Sequence, residues 1–437
     1  MSITKSAYRR DAPGAGSWDN LDESHRVWAD EMNKGTARPP RRAAFAFVFV
    51  TVLLDMLAIG IIIPVLPKLV VDFLGGDTGE AARVYGLFGT VWALMQFAFS
   101  PIQGALSDRF GRRPVIVISN VGLGLDYVVM ALAPSVYWLF AGRVISGITA
   151  ASISTSYAYV ADVTPPEERA ARFGLLGAGF GIGFVLGPAV GGLTGAIDPR
   201  LPFWIAAGLS LTNALYGFFV LPESLPPERR APFAWRRANP VGALALLRSQ
   251  ALIGLASVNF LGNLAHAALP SVTVLYMMYR YGWSERTVGL TMACVGIASI
   301  LVQGGVIRPA VKQFGERRAL VIGLAFGVAG FAVFGLAPTG PLFGLGIPLM
   351  ALWGLANPSA QGLMSRRIGP HEQGQLQGAN ASLMGVANLI GPGLFTLTFA
   401  FAIATTREWS VPGAPFLLAA MLLGLAIVVA VRVTKAG

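Results

Sequence analysis

What limits this chain most is a succession of apolar runs, at about 43–73, 83–106, 114–133, 136–160, 169–194 and 200–221, resuming at about 250–280, 283–308, 317–337, 340–364, 372–403 and 412–433. A helix needs about 20 apolar residues to cross roughly 30 Å of hydrocarbon, whereas a barrel strand needs about 10 that alternate. These runs have helix length and do not alternate. Within lipid the backbone polar groups must be paired internally, which leaves helices as the spanning structure expected here. Only 13% of the 437 residues are charged and 54% are hydrophobic, too little charge to clothe a soluble surface. The expectation is an all-α integral membrane protein with twelve transmembrane helices, six on either side of a polar link.

The chain divides accordingly into a polar tail over 1–42, a six-helix bundle over 43–221, a link over 222–249 and a second bundle over 250–437. The tail has no apolar stretch and so is not a signal peptide; it reads as a disordered cytoplasmic segment, with Met32 as a second candidate start site. The link is rich in proline and arginine, as a connection between two bundles should be. Basic residues crowd one side of the runs: Arg109, Arg112, Arg113, Arg169, Arg172, the link, Arg308, Lys312, Arg317, Arg318, Arg366 and Arg367. The other side has Lys68, Arg83, Arg200, Arg280, Arg286 and Arg407. The positive-inside rule then puts both termini and the link in the cytoplasm, with the chain in the cytoplasmic membrane. The net charge of +11 is thereby read as an orientation signal rather than a nucleic-acid footprint. The one cysteine, Cys294, lies in an apolar run, which offers neither a disulfide framework nor a metal cluster.

An internal repeat runs at an offset of 204 positions, pairing Phe110-Gly111 with Phe314-Gly315, Glu168 with Glu372 and Gly187-Pro188 with Gly391-Pro392. Two six-helix halves of parallel topology with a substrate site between them is the architecture of a rocking secondary transporter. After the second run the chain reads Gly104-Ala-Leu-Ser107-Asp108-Arg109-Phe-Gly111-Arg112-Arg113. A plain positive-inside loop explains the arginines but not the glycine and aspartate spacing. The spacing suits a charged latch that holds the halves together in one state; Lys312 replaces Asp108 in the repeat copy.

In the fifth run Gly179, Gly183, Gly187, Gly191 and Gly195 recur every fourth residue around Pro188. Such spacing makes one helical face without side chains, fit for close packing or for a gating hinge between the halves. Ionisable groups within the runs are the costliest residues and by default functional. Asp55 and Asp126 each lie about 12 residues into a run, roughly 18 Å from the cytoplasmic face, and Arg143 sits at similar depth in the fourth. One reading is a structural lock between the first, third and fourth spans. The sharper reading makes an aspartate the proton carrier: burial favours its neutral form, a nearby cation its charged form, so proton and cationic substrate compete. His266, with Asn263 one turn earlier, and Gln96, Gln303, Asn357, Asn380 and Asn388 are candidate cavity-lining groups.

These residues resemble the major facilitator superfamily, and within it the twelve-helix drug:H⁺ antiporters. The 104–113 stretch is similar to that superfamily's signature between spans 2 and 3, and Gly142-Arg143-Val-Ile-Ser-Gly147 to its span-4 signature. Gly183-Phe-Val-Leu-Gly187-Pro188-Ala-Val-Gly191-Gly192 resembles the span-5 signature of exporters. Over about 43–430 the likeness extends to tetracycline/H⁺ antiporters, through Leu54-Asp55-Met56, Pro64-Val-Leu-Pro67, Leu125-Asp126-Tyr127 and Gly142 to Thr149. The resemblance implies a major facilitator fold of two pseudo-symmetric halves, with Asp55, Asp126 and Arg143 as essential intramembrane charges and Gln303 as a span-8 glutamine. Exporters of a metal–tetracycline complex carry a histidine in span 8 and an aspartate in span 9, where this chain has Ser299 and Gly327.

The function expected is proton-coupled export of a small amphipathic molecule, tetracycline-like or another xenobiotic. The alternative is a transporter of a sugar, metabolite or siderophore on the same scaffold. No nucleotide-binding or phosphate-cradling motif is present in the sequence, so an ion gradient, not ATP hydrolysis or any other catalysis, is the expected energy source. The expected partners are the lipid bilayer, a small-molecule substrate and protons; the expected protein is a monomer without cofactor or metal.

Overall fold

The computed structural model describes residues 41–150, 152–230, 252–369, 373–404 and 410–435. Of the expected tail over 1–42, residues 1–40 lie outside the described residues, as do most of the link over 222–249 and Glu372 of the repeat, whereas Arg41 and Arg42 already belong to the first helix. No strand occurs among the described residues. The first rod is α1 (Arg41–Ile62) followed by α2 (Leu66–Phe73), broken where Pro64 removes a backbone donor. Then come α3 (Thr78–Phe110), α4 (Arg112–Leu132), the pair α5 (Val136–Thr149) and α6 (Ser152–Val163), α7 (Pro166–Gly195) and α8 (Leu201–Phe219). After the link follow α9 (Ile253–His266) with α10 (Ala268–Tyr281), α11 (Glu285–Leu301), α12 (Ile307–Leu336), α13 (Gly340–Leu352) with α14 (Ala356–Ser365), α15 (Gln373–Ala402) and α16 (Ala414–Lys435).

Nine segments among the described residues are long and apolar enough to cross a membrane. One of them spans 52 residues, Glu285–Leu336, and contains Gly315 at φ 73°, ψ 158°, a reversal that only glycine adopts without strain. Divided there, the nine become ten, and α3 and α8 are two further long helices of lower apolarity. The second rod is longer than the apolar run 83–106, because polar chemistry adds turns at both ends: Asp77 caps its start by accepting from the N–H of Glu80 at 3.0 Å, and Gly111, at φ 108°, ends it.

Three clusters of buried apolar side chains hold the rods together. Two draw on residues before 222, around Phe88, Tyr127 and Phe203 and around Val48, Ile116 and Tyr159. The third, around Tyr276, Phe331, Phe399 and Phe416, draws on residues after 251 with the addition of Ala82. Between the two groups of rods α3 packs on α15 and α7 on α11.

The glycines of α7 explain the second contact and correct one expectation. Gly183, Gly187 and Gly191 lie on α1: a Cβ at Gly187 would stand 2.6 Å from the Cα of Gly60, and one at Gly191 would overlap the carbonyl of Ile61. The every-fourth face therefore seals the first and fifth rods of one group and is not the seam between groups. That seam uses the adjacent face, where Gly192 meets the backbone of Glu285 and Gly289 meets the carbonyl of Pro188. At the same end Gly86 and Gly89 of α3 lie against Thr396 and Pro392 of α15. Toward the end that carries residues 104–113, added Cβ atoms at Gly104, Gly174, Gly177, Gly304 and Gly305 would meet nothing within 4 Å.

Candidate functional site

Of the three intramembrane charges, the structure joins two directly. Arg143 of α5 donates from Nη2 to Oδ2 of Asp126 on α4 at 2.8 Å, with Asp126 fully buried and Arg143 9% exposed. Gly142 makes the approach possible, since a Cβ there would strike Oδ1 of Asp126. Asp55, 1% exposed on α1, accepts at Oδ1 from the Nδ2 of Asn213 on α8 at 2.8 Å, and that amide also donates to the carbonyl of Thr51 at 3.0 Å. The expected three-helix lock is therefore an Asp126–Arg143 bond between the third and fourth rods and an Asp55–Asn213 bond between the first and sixth. Asn213 was not read as a site residue; its signal was an amide midway along an apolar run. An amide N–H can donate to a carboxylate or to the carbonyl oxygen of a carboxylic acid, so Asn213 can hold the Asp55 carboxyl in place through a protonation cycle.

The residues over 104–113 form a knot. Arg112 donates to Asp108 and to Ser107, each at 2.6 Å, and from Nε to Asp162 on α6 at 3.1 Å. Glu223, just past α8, accepts from the backbone N–H groups of Arg112 at 2.8 Å and Arg113 at 3.2 Å, which caps the start of α4. Gly111 leaves the room for it, because a Cβ there would meet the Glu223 carboxylate. Arg113 donates to the carbonyls of Gly217 and Phe218. Arg109 instead lies over the ring of Phe110 at 5.1 Å. These bonds tie the second, third, fourth and sixth rods of one group to each other. The latch expected between the two halves is, in this state, a clasp within the first. Its acidic members Asp162 and Glu223 escaped the sequence reading because they are distant in the chain.

The second group carries a counterpart of opposite polarity. Glu316 and Arg366, each 204 positions beyond Arg112 and Asp162, form an ion pair at 3.0 Å. Acid and base have exchanged places across the repeat. Removing the cap in the first clasp, Glu223→Ala, is expected to lower stability by about 1–2 kcal/mol, the usual cost of a lost helix cap. A thermal melt in detergent reads this out, with Glu223→Gln as the partial rescue; an unchanged melt for the alanine variant would show the cap to be redundant.

A cavity of about 130 Å³ lies between α9, α12 and α14, lined among others by Asn259, Asn263, His266, Trp353 and Asn357. Asn259 donates to Oδ1 of Asn380 on α15 at 2.9 Å, and Asn263 donates to the carbonyl of Asn259 at 2.9 Å and to its Oδ1 at 3.2 Å. His266 faces Trp353 with ring centres 5.7 Å apart. Among the expected cavity groups Asn263, His266 and Asn357 line this space and Asn380 stands one bond behind it. Asn259 was missed, although it lies 204 positions beyond Asp55. Gln96, Gln303 and Asn388 are not in this lining. Gln303 falls in a five-residue π turn, Val302–Val306, and is exposed there. Ser299 bonds back to the carbonyl of Val295 at 2.9 Å, and Gly327 is buried against Trp353.

A family model described as Major Facilitator Superfamily matches residues 48–392. The chain belongs to the Major Facilitator Superfamily. Within that superfamily it is 39% identical over 377 residues to the class C tetracycline resistance protein of Escherichia coli, covering 86% of this chain and 94% of that one. The class D tetracycline resistance protein of Salmonella ordonez is 34% identical, with 88% and 96% covered. Among solved structures the human organic anion transporter MFSD10 superposes with a TM-score of 0.67 at 26% identity, over 90% of this chain and all of that one. A nucleoside transporter, NupG, superposes with a TM-score of 0.70 at 15% identity, a likeness of fold alone. The molecule is a major facilitator transporter and a multi-pass membrane protein.

Proposed function

We propose that this transporter is a proton-coupled antiporter that exports a small amphipathic molecule, of which tetracycline is the first to test, across the cytoplasmic membrane. The observation that carries the reading is the pair of buried carboxyl sites in the first group of rods, Asp55 on Asn213 and Asp126 on Arg143. A carboxyl held by a neutral amide can give up and regain a proton without losing its holder, whereas protonating one bonded to arginine breaks an ion pair. Asp55 is accordingly the proton carrier, and the Asp126–Arg143 bond sets the field around it. Similarity to tetracycline resistance proteins over most of the chain supports export as the direction and a tetracycline-like compound as cargo.

The two groups of rods act as rocking halves, 43–221 and 250–437, joined by the 222–249 link. The close contacts at the Gly192–Glu285 end, with open space beside Gly104 and Gly304, support an inward-facing state. Charge placement supports that assignment, with both termini in the cytoplasm. The protein works as a monomer on this reading. Everted membrane vesicles test it: tetracycline should enter them when a pH gradient is imposed, acid inside, and uptake should stop on adding a protonophore. Uptake that persists without a gradient would mean passive transport and would overturn the antiport assignment.

A further inference from the structure

The side chain of Asn120 on α4 is fully buried, yet neither its Nδ2 nor its Oδ1 meets a hydrogen-bond partner among the described residues. The hydroxyls of Thr155 and Ser156 on α6 are buried in the same condition. So is the Oδ1 of Asn213 on α8, whose Nδ2 is spent on Asp55 and on the carbonyl of Thr51. A buried polar group left unmet is costly, and several left unmet in one place call for a shared partner.

These groups occupy one layer. The bond from Arg112 to Asp162 fixes the register of α4 against α6. Asn120 lies eight residues from the first, and Ser156 and Thr155 lie six and seven from the second. At about 1.5 Å per residue the depths agree to roughly 3 Å. On α8, Gly217 lies against Val117 and Leu211 against Gly124, two contacts that bracket Asn213 and Asn120 between them. Both α4 and α1 pack on α6 and on α8. Facing agrees with depth. Asn120 is one turn from Ile116, and Ser156 one turn from Val160, and these two are buried in a single apolar cluster with Val52 of α1. Asp55 follows Val52 by three residues, so the same interior carries the carboxyl.

We propose that Asn120, Ser156 and the Oδ1 of Asn213 form a buried water site beside Asp55, and that its water receives the proton that Asp55 releases. A buried water needs two to four polar partners. Asn120 offers donors and an acceptor, Ser156 a hydroxyl that does both, and Asn213 an acceptor. In the step the O–H bond of the Asp55 carboxylic acid breaks and an O–H bond forms on the water, which hands a proton to its neighbour. The carboxylate left behind keeps the N–H of Asn213. Asn120 is a positioning residue, acting through the water it holds. The proposal rests on the reading of Asp55 as proton carrier, but the water site itself is testable without transport.

The experiment is X-ray hydroxyl-radical footprinting of the purified full-length protein in detergent, in which radicals made from bound water oxidise the buried side chains beside it. Tyr159, one turn from Ser156, and Tyr127, two turns from Asn120 on the same face, are buried reporters. Both are expected to be labelled in the wild type and to lose labelling in Asn120→Leu. In proteoliposomes the same variant should lower tetracycline-induced proton flux about tenfold, the effect of one lost hydrogen bond on a rate. Asn120→Ser, which keeps a polar group and adds room for water, should retain most of both signals and so excludes misfolding as the cause. Unlabelled Tyr127 and Tyr159 in the wild type would overturn the proposal. So would wild-type flux in Asn120→Leu, or equal losses in Asn120→Leu and Asn120→Ser. Absence of flux in the wild type, or flux kept in Asp55→Asn, would instead remove the exporter or carrier reading, with labelling that depends on Asn120 still deciding the water site.

Discussion

Arg143→Ala is expected to cost about 3–5 kcal/mol of stability and to abolish transport, because it leaves Asp126 buried with no guanidinium to meet it. The magnitude follows from position. Asp126 has no solvent exposure and Arg143 is 9% exposed, so water cannot replace the 2.8 Å bond as it would at a surface. A desolvated carboxylate facing no cation must either stay charged at high cost or take up a proton. The double variant Arg143→Met with Asp126→Met should recover most of the stability, since removing both members of a buried pair is often neutral. It should not recover transport, because the field at Asp55 would still be lost. Thermal unfolding in detergent, run beside the vesicle uptake assay, separates the two effects. A double variant that transports would show that the pair is only structural.

The second large effect concerns the seam between α1 and α7. Gly191→Leu should prevent the two helices from closing, since even the first carbon of the new side chain would overlap the carbonyl of Ile61. The obstacle is backbone, not the movable tip of a side chain, so relief requires the helices to separate along their length. Overpacking of this kind typically costs about 1–3 kcal/mol and more where backbone must shift. The effect here should lie at or above the top of that range, with loss of transport. Gly174→Ala and Gly177→Ala serve as internal controls. Both lie on the same helix with open space beside them, and alanine gains about 0.5–1 kcal/mol over glycine in a helix, so their melts should be unchanged or slightly raised. Equal damage at Gly191 and Gly177 would mean that α7 responds to any loss of glycine rather than to this contact.

Much of the fold was legible because lipid leaves few choices: runs of apolar residues become helices, and polar chemistry such as the Asp77 cap or the Gly111 and Gly315 reversals sets where they end. The breaks inside rods were less legible. Pro64 announces one, whereas nothing comparable marks the π turn over Val302–Val306. At the site, Asp55, Asp126 and Arg143 stood out because charge within an apolar run is expensive. The partner of Asp55 did not, nor did that of Arg112. Asn213 is 158 positions from Asp55, and Glu223 is 111 from Arg112, distances over which no periodicity carries information. The glycine stripe of α7 was legible as a packing surface but not as to what it packs on. Gly187 and Gly192 face different helices, and the spacing that identifies a face says nothing of the neighbour.

The most direct test of proton-coupled export is substrate-induced proton movement in proteoliposomes, with tetracycline as the probe, for the wild type and Asp55→Asn. The substitution keeps the size of the side chain and the contact with Asn213 while removing the titratable group. Proton flux that follows tetracycline addition in the wild type and is absent in Asp55→Asn is the predicted result. Equal flux in both proteins would contradict Asp55 as the carrier, and tetracycline movement with no proton flux in the wild type would contradict the coupling itself.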